Sequence, residues 1–78
     1  MLRKKYKPRI TKHDIKIGGR IRRQRKEMGL TQDRLSEMVK ISPQHLCYIE
    51  NGKRRPSLLL VKRLAKTMRL SLGELLAS

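Results

Sequence analysis

Residues 29–56, GLTQDRLSEMVKISPQHLCYIENGKRRP, decide the fold. Thr31 stands where a helix N-cap belongs, and Leu35, Met38 and Val39 follow at i, i+3, i+4 spacing, the apolar stripe of an amphipathic helix. Ser42 then precedes Pro43, an N-cap followed by proline at the first helical position, where the missing N–H removes no hydrogen bond. Only Lys40 and Ile41 lie between, so the second helix starts almost where the first ends. It is expected over about Pro43 to Asn51, stopping at Gly52, with the loop Lys53-Arg54-Arg55-Pro56 leading to the next cap at Ser57.

Working outward, Thr11-Lys12-His13-Asp14 has the form of a capping box, and Ile17, Ile21 and Met28 follow at helical spacing as far as Gly29. Gly18 and Gly19 are unfavourable inside a helix by about 1 kcal/mol each relative to alanine. The close approach of another helix would give them a purpose. Ser57 caps a helix expected to bury Leu58, Val61, Leu64, Ala65 and Met68, and Ser71 with Glu74 forms a second capping box for a last short helix carrying Leu72, Leu75 and Leu76. No stretch alternates with period two, and the three prolines all fall at element boundaries. The sequence therefore predicts an all-α fold, a compact bundle of five short helices over residues 11–78. The preceding residues 1–10, MLRKKYKPRI, carry five basic side chains, one proline and no acid. They cannot bury enough apolar surface to order themselves and are expected to form a flexible basic arm.

Charge narrows the function. With 78 residues the chain is one small domain, and 21 Lys and Arg against 6 Asp and Glu give +15. Solubility needs far less, so a polyanionic partner is implied. A membrane surface is disfavoured, because the longest apolar run is Leu58 to Val61 and there is no Trp or Phe. No signal peptide is recognisable, since the basic first residues lead into more lysine, and the single cysteine, Cys47, fits a reducing compartment; a cytoplasmic location is expected. Two histidines and one cysteine do not build a zinc site, so no metal or cofactor is expected. Enzyme chemistry is excluded on similar grounds, as six scattered acids without a phosphate loop or a base beside a nucleophile form no catalytic constellation.

On a helical wheel, Leu46, Ile49 and Glu50 cluster on one side of the 43–51 helix, and Gln44, Tyr48 and Asn51 lie opposite. Cys47 and Pro43 flank one edge and His45 the other. Side chains suited to base edges are thus followed directly by Lys53, Arg54 and Arg55, which suit phosphates. A glutamine amide can pair with adenine N6 and N7, a tyrosine can donate to a base or a phosphate, and a thiol can lie against a thymine methyl. Base contact is assigned to Gln44 and Tyr48 first, then to Cys47, Pro43 and His45. Glu50 shares the inward side, and a carboxylate there requires a cation. The preceding basic helix offers Arg22, Arg25 and Lys26, of which Arg25 can supply a planar fork.

The pieces IGGRIRRQRKEMGLTQDRLSEMV, IENGKRRPS, L-x-x-V-x-x-LA and SLGELL together resemble the Cro/repressor-type, or XRE-type, helix-turn-helix domain of phage repressors and bacterial regulators. The resemblance runs from Ile17 to Leu76 and implies a lambda repressor-like fold. It further implies a sequence-specific regulator of transcription that binds double-stranded DNA as a homodimer on a palindromic operator, in a bacterial or phage nucleoid setting. By the same similarity Gln32 would bond a phosphate and brace the recognition helix, while Asn51, Lys53 and Arg54 would contact the backbone. Arg25 and Glu50 match an ion pair found in some members. Two positions depart from the pattern: Lys40 and Arg69 stand where glycine is usual, and each is expected to adopt a left-handed conformation costing about 1 kcal/mol. Leu59, Leu60, Leu70, Leu72, Leu75 and Leu76 are expected to serve either a dimer contact or ordinary core packing, which are equal alternatives on the sequence. The alternative function is a protein-interaction module, such as an antitoxin or bridging factor, with DNA secondary. RNA binding through the Arg20 to Lys26 cluster is disfavoured by the scarcity of aromatics for stacking.

Overall fold

The computed structural model describes residues 9–77. The arm expected over 1–10 falls outside them, except for Arg9 and Ile10. Five helices follow in order: α1 (Lys12–Glu27), α2 (Gln32–Val39), α3 (Pro43–Glu50), α4 (Leu58–Thr67) and α5 (Leu72–Leu76). Each begins where its cap requires. Thr11, Thr31, Ser42, Ser57 and Ser71 all accept a hydrogen bond from the amide three residues on, and Asp14 and Glu74 close reciprocal capping boxes.

The first four helices end alike. Gly29, Lys40, Gly52 and Arg69 have φ of 70°, 63°, 70° and 57°, and the amide after each reaches back to a carbonyl of the last turn, as Leu30 to Arg25 at 3.0 Å and Lys53 to Tyr48 at 2.8 Å. Lys40 and Arg69 therefore take the left-handed conformation that their glycine-like positions demand. Helix α1 stops at Glu27, two residues short of Gly29, which follows the Met28 cap.

One core serves all five helices: Ile17 and Ile21 of α1, Leu35 and Val39 of α2, Leu46 and Ile49 of α3, Leu60, Val61, Leu64 and Ala65 of α4, Met68 beyond it, and Leu75 of α5. Three inward assignments and one outward assignment are corrected. Met28, Met38 and Leu58 are exposed, whereas Leu60 is buried. Leu58, three residues before Val61, and Leu60, four before Leu64, flank the α4 stripe on opposite sides, and the bundle covers the Leu60 flank and leaves Leu58 open. Leu75 is also fully enclosed, and Leu70, Leu72 and Leu76 pack against the core, so most of the leucines left between a dimer contact and core packing serve the interior.

Helix α5 is held by side chains of α1 that spacing does not reveal. His13 Nε2 lies 2.8 Å from the Leu76 carbonyl, Arg20 donates to the carbonyls of Leu75 and Ala77, and Gln24 donates to that of Met68 at 3.1 Å. The His13 and Arg20 contacts satisfy carbonyls that a five-residue helix leaves open, and the Gln24 contact satisfies the carbonyl of Met68 at the end of α4.

The adjacent glycines of α1 have different roles. A Cβ on Gly18 would sit 2.1 Å from the carbonyl oxygen of Ile49, so α1 and α3 touch backbone to backbone there, while a Cβ on Gly19 would meet nothing within 4 Å. Gly18→Ala is expected to destabilise the protein by about 1–3 kcal/mol through overpacking. Gly19→Ala should stabilise it by up to about 1 kcal/mol through helix propensity. Urea denaturation of the two variants checks this, and equal effects would mean that the α1–α3 contact is looser than described.

Candidate nucleic-acid interface

Helix α3 is eight residues long and would not persist alone, so its orientation comes from what lies behind it. Leu46 and Ile49 are fully enclosed, and Glu50 is 5 % exposed. Arg25 meets the Glu50 carboxylate with two parallel bonds, Nε to Oε2 at 2.8 Å and Nη2 to Oε1 at 3.0 Å, and spends Nη1 on the Leu30 carbonyl at 2.7 Å. Gln32 adds a bond from Nε2 to Glu50 Oε1 at 3.0 Å. Helices α1 and α2 thus converge on one carboxylate of α3. Neither Arg22 nor Lys26 is used; both are exposed.

The opposite side of α3 faces outward. Pro43, Gln44, Tyr48 and Asn51 are exposed, and His45 and Cys47 are half-buried at its edges. Two contacts link these groups at i, i+4 spacing: Gln44 Nε2 donates to Tyr48 Oη at 3.0 Å, and Asn51 Nδ2 lies 3.3 Å from Cys47 Sγ. The surface is uncharged, and its hydrogen-bonding atoms project side by side along one helix. Lys53 and Arg54 follow at its C-terminal end, both exposed and outside every ion pair among the described residues.

Arg55, grouped with them in the sequence, is occupied elsewhere. Its Nε bonds Asp14 Oδ2 at 3.0 Å and its Nη2 bonds the Arg9 carbonyl at 2.6 Å. Gly52 packs against Ile15, so the loop after α3 lies against the first turn of α1. The chain therefore enters α1 beside the loop that leaves α3. The long-range Asp14–Arg55 pair had no sequence signal beyond the capping box. Burial pushes the Asp14 carboxyl upward, but the Thr11 amide, the Thr11 hydroxyl and the Arg55 guanidinium outweigh it and hold the carboxyl below its ordinary value.

Two open depressions lie away from the α3 edge. One, of about 280 Å³, is lined by Met38, Val39, Lys40, Arg63, Lys66 and Thr67, and the other, of about 160 Å³, by Arg20, Arg23, Gln24, Leu70 and Glu74. Neither gathers the groups that acid–base or nucleophilic chemistry requires. No helix among the described residues is long and apolar enough to cross a membrane.

A short helix braced from behind, with amide and phenol groups outward and cations at its end, is the arrangement of helix-turn-helix proteins that bind DNA. Residues 21–75 match the helix-turn-helix family model. An uncharacterized HTH-type transcriptional regulator from Methanothermobacter thermautotrophicus is 44% identical over 48 residues, which cover 62% of this chain and 70% of that protein. Among solved structures, the restriction-modification controller protein C.AhdI from Aeromonas hydrophila superposes with a TM-score of 0.74 at 30% identity, covering 78% of this chain and 92% of its own. The clp gene regulator ClgR from Corynebacterium glutamicum shares the fold, with a TM-score of 0.80 at 24% identity over 87% of this chain and 72% of its own. The chain belongs to the XRE-type helix-turn-helix family of DNA-binding transcriptional regulators, a class without enzymatic activity.

Two predictions concern the frame. Glu50→Ala leaves the Arg25 guanidinium enclosed without its partner and is expected to cost about 3–5 kcal/mol. The exposed Arg34–Glu37 pair, although also 2.8 Å long, should lose less than about 1 kcal/mol when Glu37 is replaced by alanine. Denaturant titration of both variants gives the comparison, and similar losses would contradict the buried-fork assignment. The second concerns pH. Because the folded Asp14 carboxyl is held below its unfolded value, its stabilising contribution is complete above the unfolded pKa and disappears as pH falls through the folded one. Asp14→Asn should lower stability at neutral pH and flatten its decline in acid; melting curves that decline in parallel for both proteins would refute this.

Proposed function

We propose that the protein is a sequence-specific regulator of transcription that binds double-stranded DNA as a homodimer on a palindromic operator, with α3 in the major groove. The observation that carries this is the rigidly backed α3 edge, whose Gln44 and Tyr48 have hydrogen-bonding capacity with no structural duty toward the core. In this reading Gln44 and Tyr48 contact base edges. Cys47, Pro43 and His45 lie close enough to add apolar or polar contacts. Lys53 and Arg54 neutralise phosphates beyond the end of α3, joined by Asn51 and by Gln32, whose amide donates one hydrogen to Glu50 and retains a second for a phosphate. Arg55 acts indirectly, fixing the loop that carries Lys53 and Arg54 against α1.

In the same reading the basic side chains of residues 1–10 contact the same DNA. The Arg55 bond to the Arg9 carbonyl supports this, because it brings Arg9 next to the loop that carries Lys53 and Arg54. An extended stretch of eight residues spans roughly 27 Å, about the length of eight base-pair steps. Two protomers would engage half-sites about 34 Å apart. Their contact would use the exposed Leu58 and Leu59 together with the partly covered rims of Leu70, Leu72 and Leu76. The likeness to a restriction-modification controller protein supports a regulatory role over an interaction module.

Selection from random duplexes tests the proposal. The wild-type protein should enrich an inverted repeat, and Gln44→Ala with Tyr48→Ala should abolish the preference while retaining weak binding. On the selected site, contacts from Lys53, Arg54, Arg3, Lys4, Lys5 and Lys7 would give a log–log salt slope of about −5 per protomer, and removing residues 1–8 should reduce its magnitude by about 3.6. A flat salt dependence, or an unchanged consensus in the double variant, would refute it.

A further inference from the structure

Gln44 and Tyr48 are not independent groups. The Gln44 amide Nε2 donates to the Tyr48 phenol oxygen at 3.0 Å, across one turn of α3. Both side chains are exposed, and this is the bond that relates them to each other. An amide carries two N–H donors and a carbonyl acceptor, and a phenol both donates and accepts. With one amide hydrogen used on the phenol oxygen, the pair presents three functions outward: the Gln44 carbonyl, the remaining Gln44 N–H, and the Tyr48 O–H. The order is acceptor, donor, donor.

That order has a complement. Adenine presents an N6 donor beside an N7 acceptor in the major groove, matching the Gln44 carbonyl and its free N–H. The tyrosine hydroxyl then points its hydrogen at the neighbouring base, where thymine O4, guanine O6 or N7, or adenine N7 can receive it. Cytosine offers only its N4 donor there and faces an O–H with nothing to accept it. Residues four apart on a helix are separated by roughly 6 Å, within two base-pair steps, so side chains that meet each other can serve adjacent base pairs.

We infer that Gln44 and Tyr48 act as one hydrogen-bonded unit. The Tyr48 phenol holds the Gln44 amide in the orientation that selects adenine, and the pair excludes cytosine from the next position. Tyr48 is thereby a positioning residue for a base it does not itself touch. The inference rests on the proposed placement of α3 in the major groove.

Selection from random duplexes with four proteins decides it: wild type, Gln44→Ala, Tyr48→Phe, and the double variant. Tyr48→Phe keeps the ring and removes one oxygen, and melting temperatures of all four serve as the folding control. The wild type should select adenine followed by any base except cytosine. Tyr48→Phe should lose the exclusion of cytosine and also reduce the adenine preference at the Gln44 position by about fivefold, the equivalent of one hydrogen bond. In the double variant the loss at that position should match that of Gln44→Ala alone. If Tyr48→Phe leaves the adenine preference intact while Gln44→Ala removes it, the coupling is wrong although base reading by α3 stands. A wild-type protein without any preference would overturn both.

Discussion

The buried fork between Arg25 and Glu50 is the constraint on which the placement of α3 depends. Apolar contacts hold α3 in the bundle through Leu46 and Ile49, but hydrophobic attraction has no direction and tolerates rotation of a short helix about its axis. A bidentate guanidinium–carboxylate pair does not. With bonds of 2.8 and 3.0 Å from one rigid plane, and a third bond from Gln32, the Glu50 side chain is fixed in angle as well as distance. Rotation of α3 by one residue, about 100°, would withdraw the carboxylate and leave a buried cation without a partner. The outward edge is set by what is tied down inside. Gly18 supplies the matching steric condition, since only a residue without Cβ lets α1 come close enough to bring Arg25 to its partner.

The positive charge is more ordered than its total suggests. Arg25 and Arg55 are committed to Glu50 and Asp14, and each also binds a backbone carbonyl, so two of the most basic side chains act as struts between elements. Lys53 and Arg54 enter no ion pair among the described residues and sit exposed on the loop that Arg55 secures. The same economy explains the two helix ends without glycine. Lys40 and Arg69 carry a left-handed cost of about 1 kcal/mol, but a cation beside a helix C-terminus recovers roughly 0.3–1 kcal/mol through the macrodipole. The helices still stop where they must, and a cation is added to the surface where glycine would add none.

Much of this was legible in the sequence because it depends on local rules. Thr11, Thr31, Ser42, Ser57 and Ser71 announce every helix start, and the wheel of residues 43–51 separates Leu46, Ile49 and Glu50 from Gln44, Tyr48 and Asn51 without help from tertiary contacts. The stripe in α4 was misplaced by treating Leu58 as its first member. A helix start offers no earlier turn to fix the phase, and Leu58, Leu59 and Leu60 are chemically identical, so only the bundle, which covers one flank of the Val61 and Leu64 stripe, chooses among them. The Arg55–Asp14 bond spans 41 positions and was invisible, since Arg55 shares a run with two similar cations and nothing local distinguishes it. The Gly18 and Gly19 pair was ambiguous for a related reason: both cost helix propensity, and the difference between them exists only where Ile49 approaches.

The separation of duties along α3 bears on how such a helix can change its target. Among the described residues, every group that holds the helix lies on the inner side or behind it, and the side chains at its outward edge bond to one another at i, i+4 spacing. Exchanging an exposed side chain there removes no buried contact, so its effect on stability stays within roughly half a kcal/mol. A base contact is worth more, about 1–3 kcal/mol of discrimination for a good bidentate pair. If the edge contacts bases as proposed, it can vary its preference with little effect on stability. That freedom is narrower than the wheel alone implies, because Gln44 is bonded to Tyr48 and Asn51 contacts Cys47. Substitution at one member alters what its partner presents, so on the proposed reading the preference would change in pairs one turn apart.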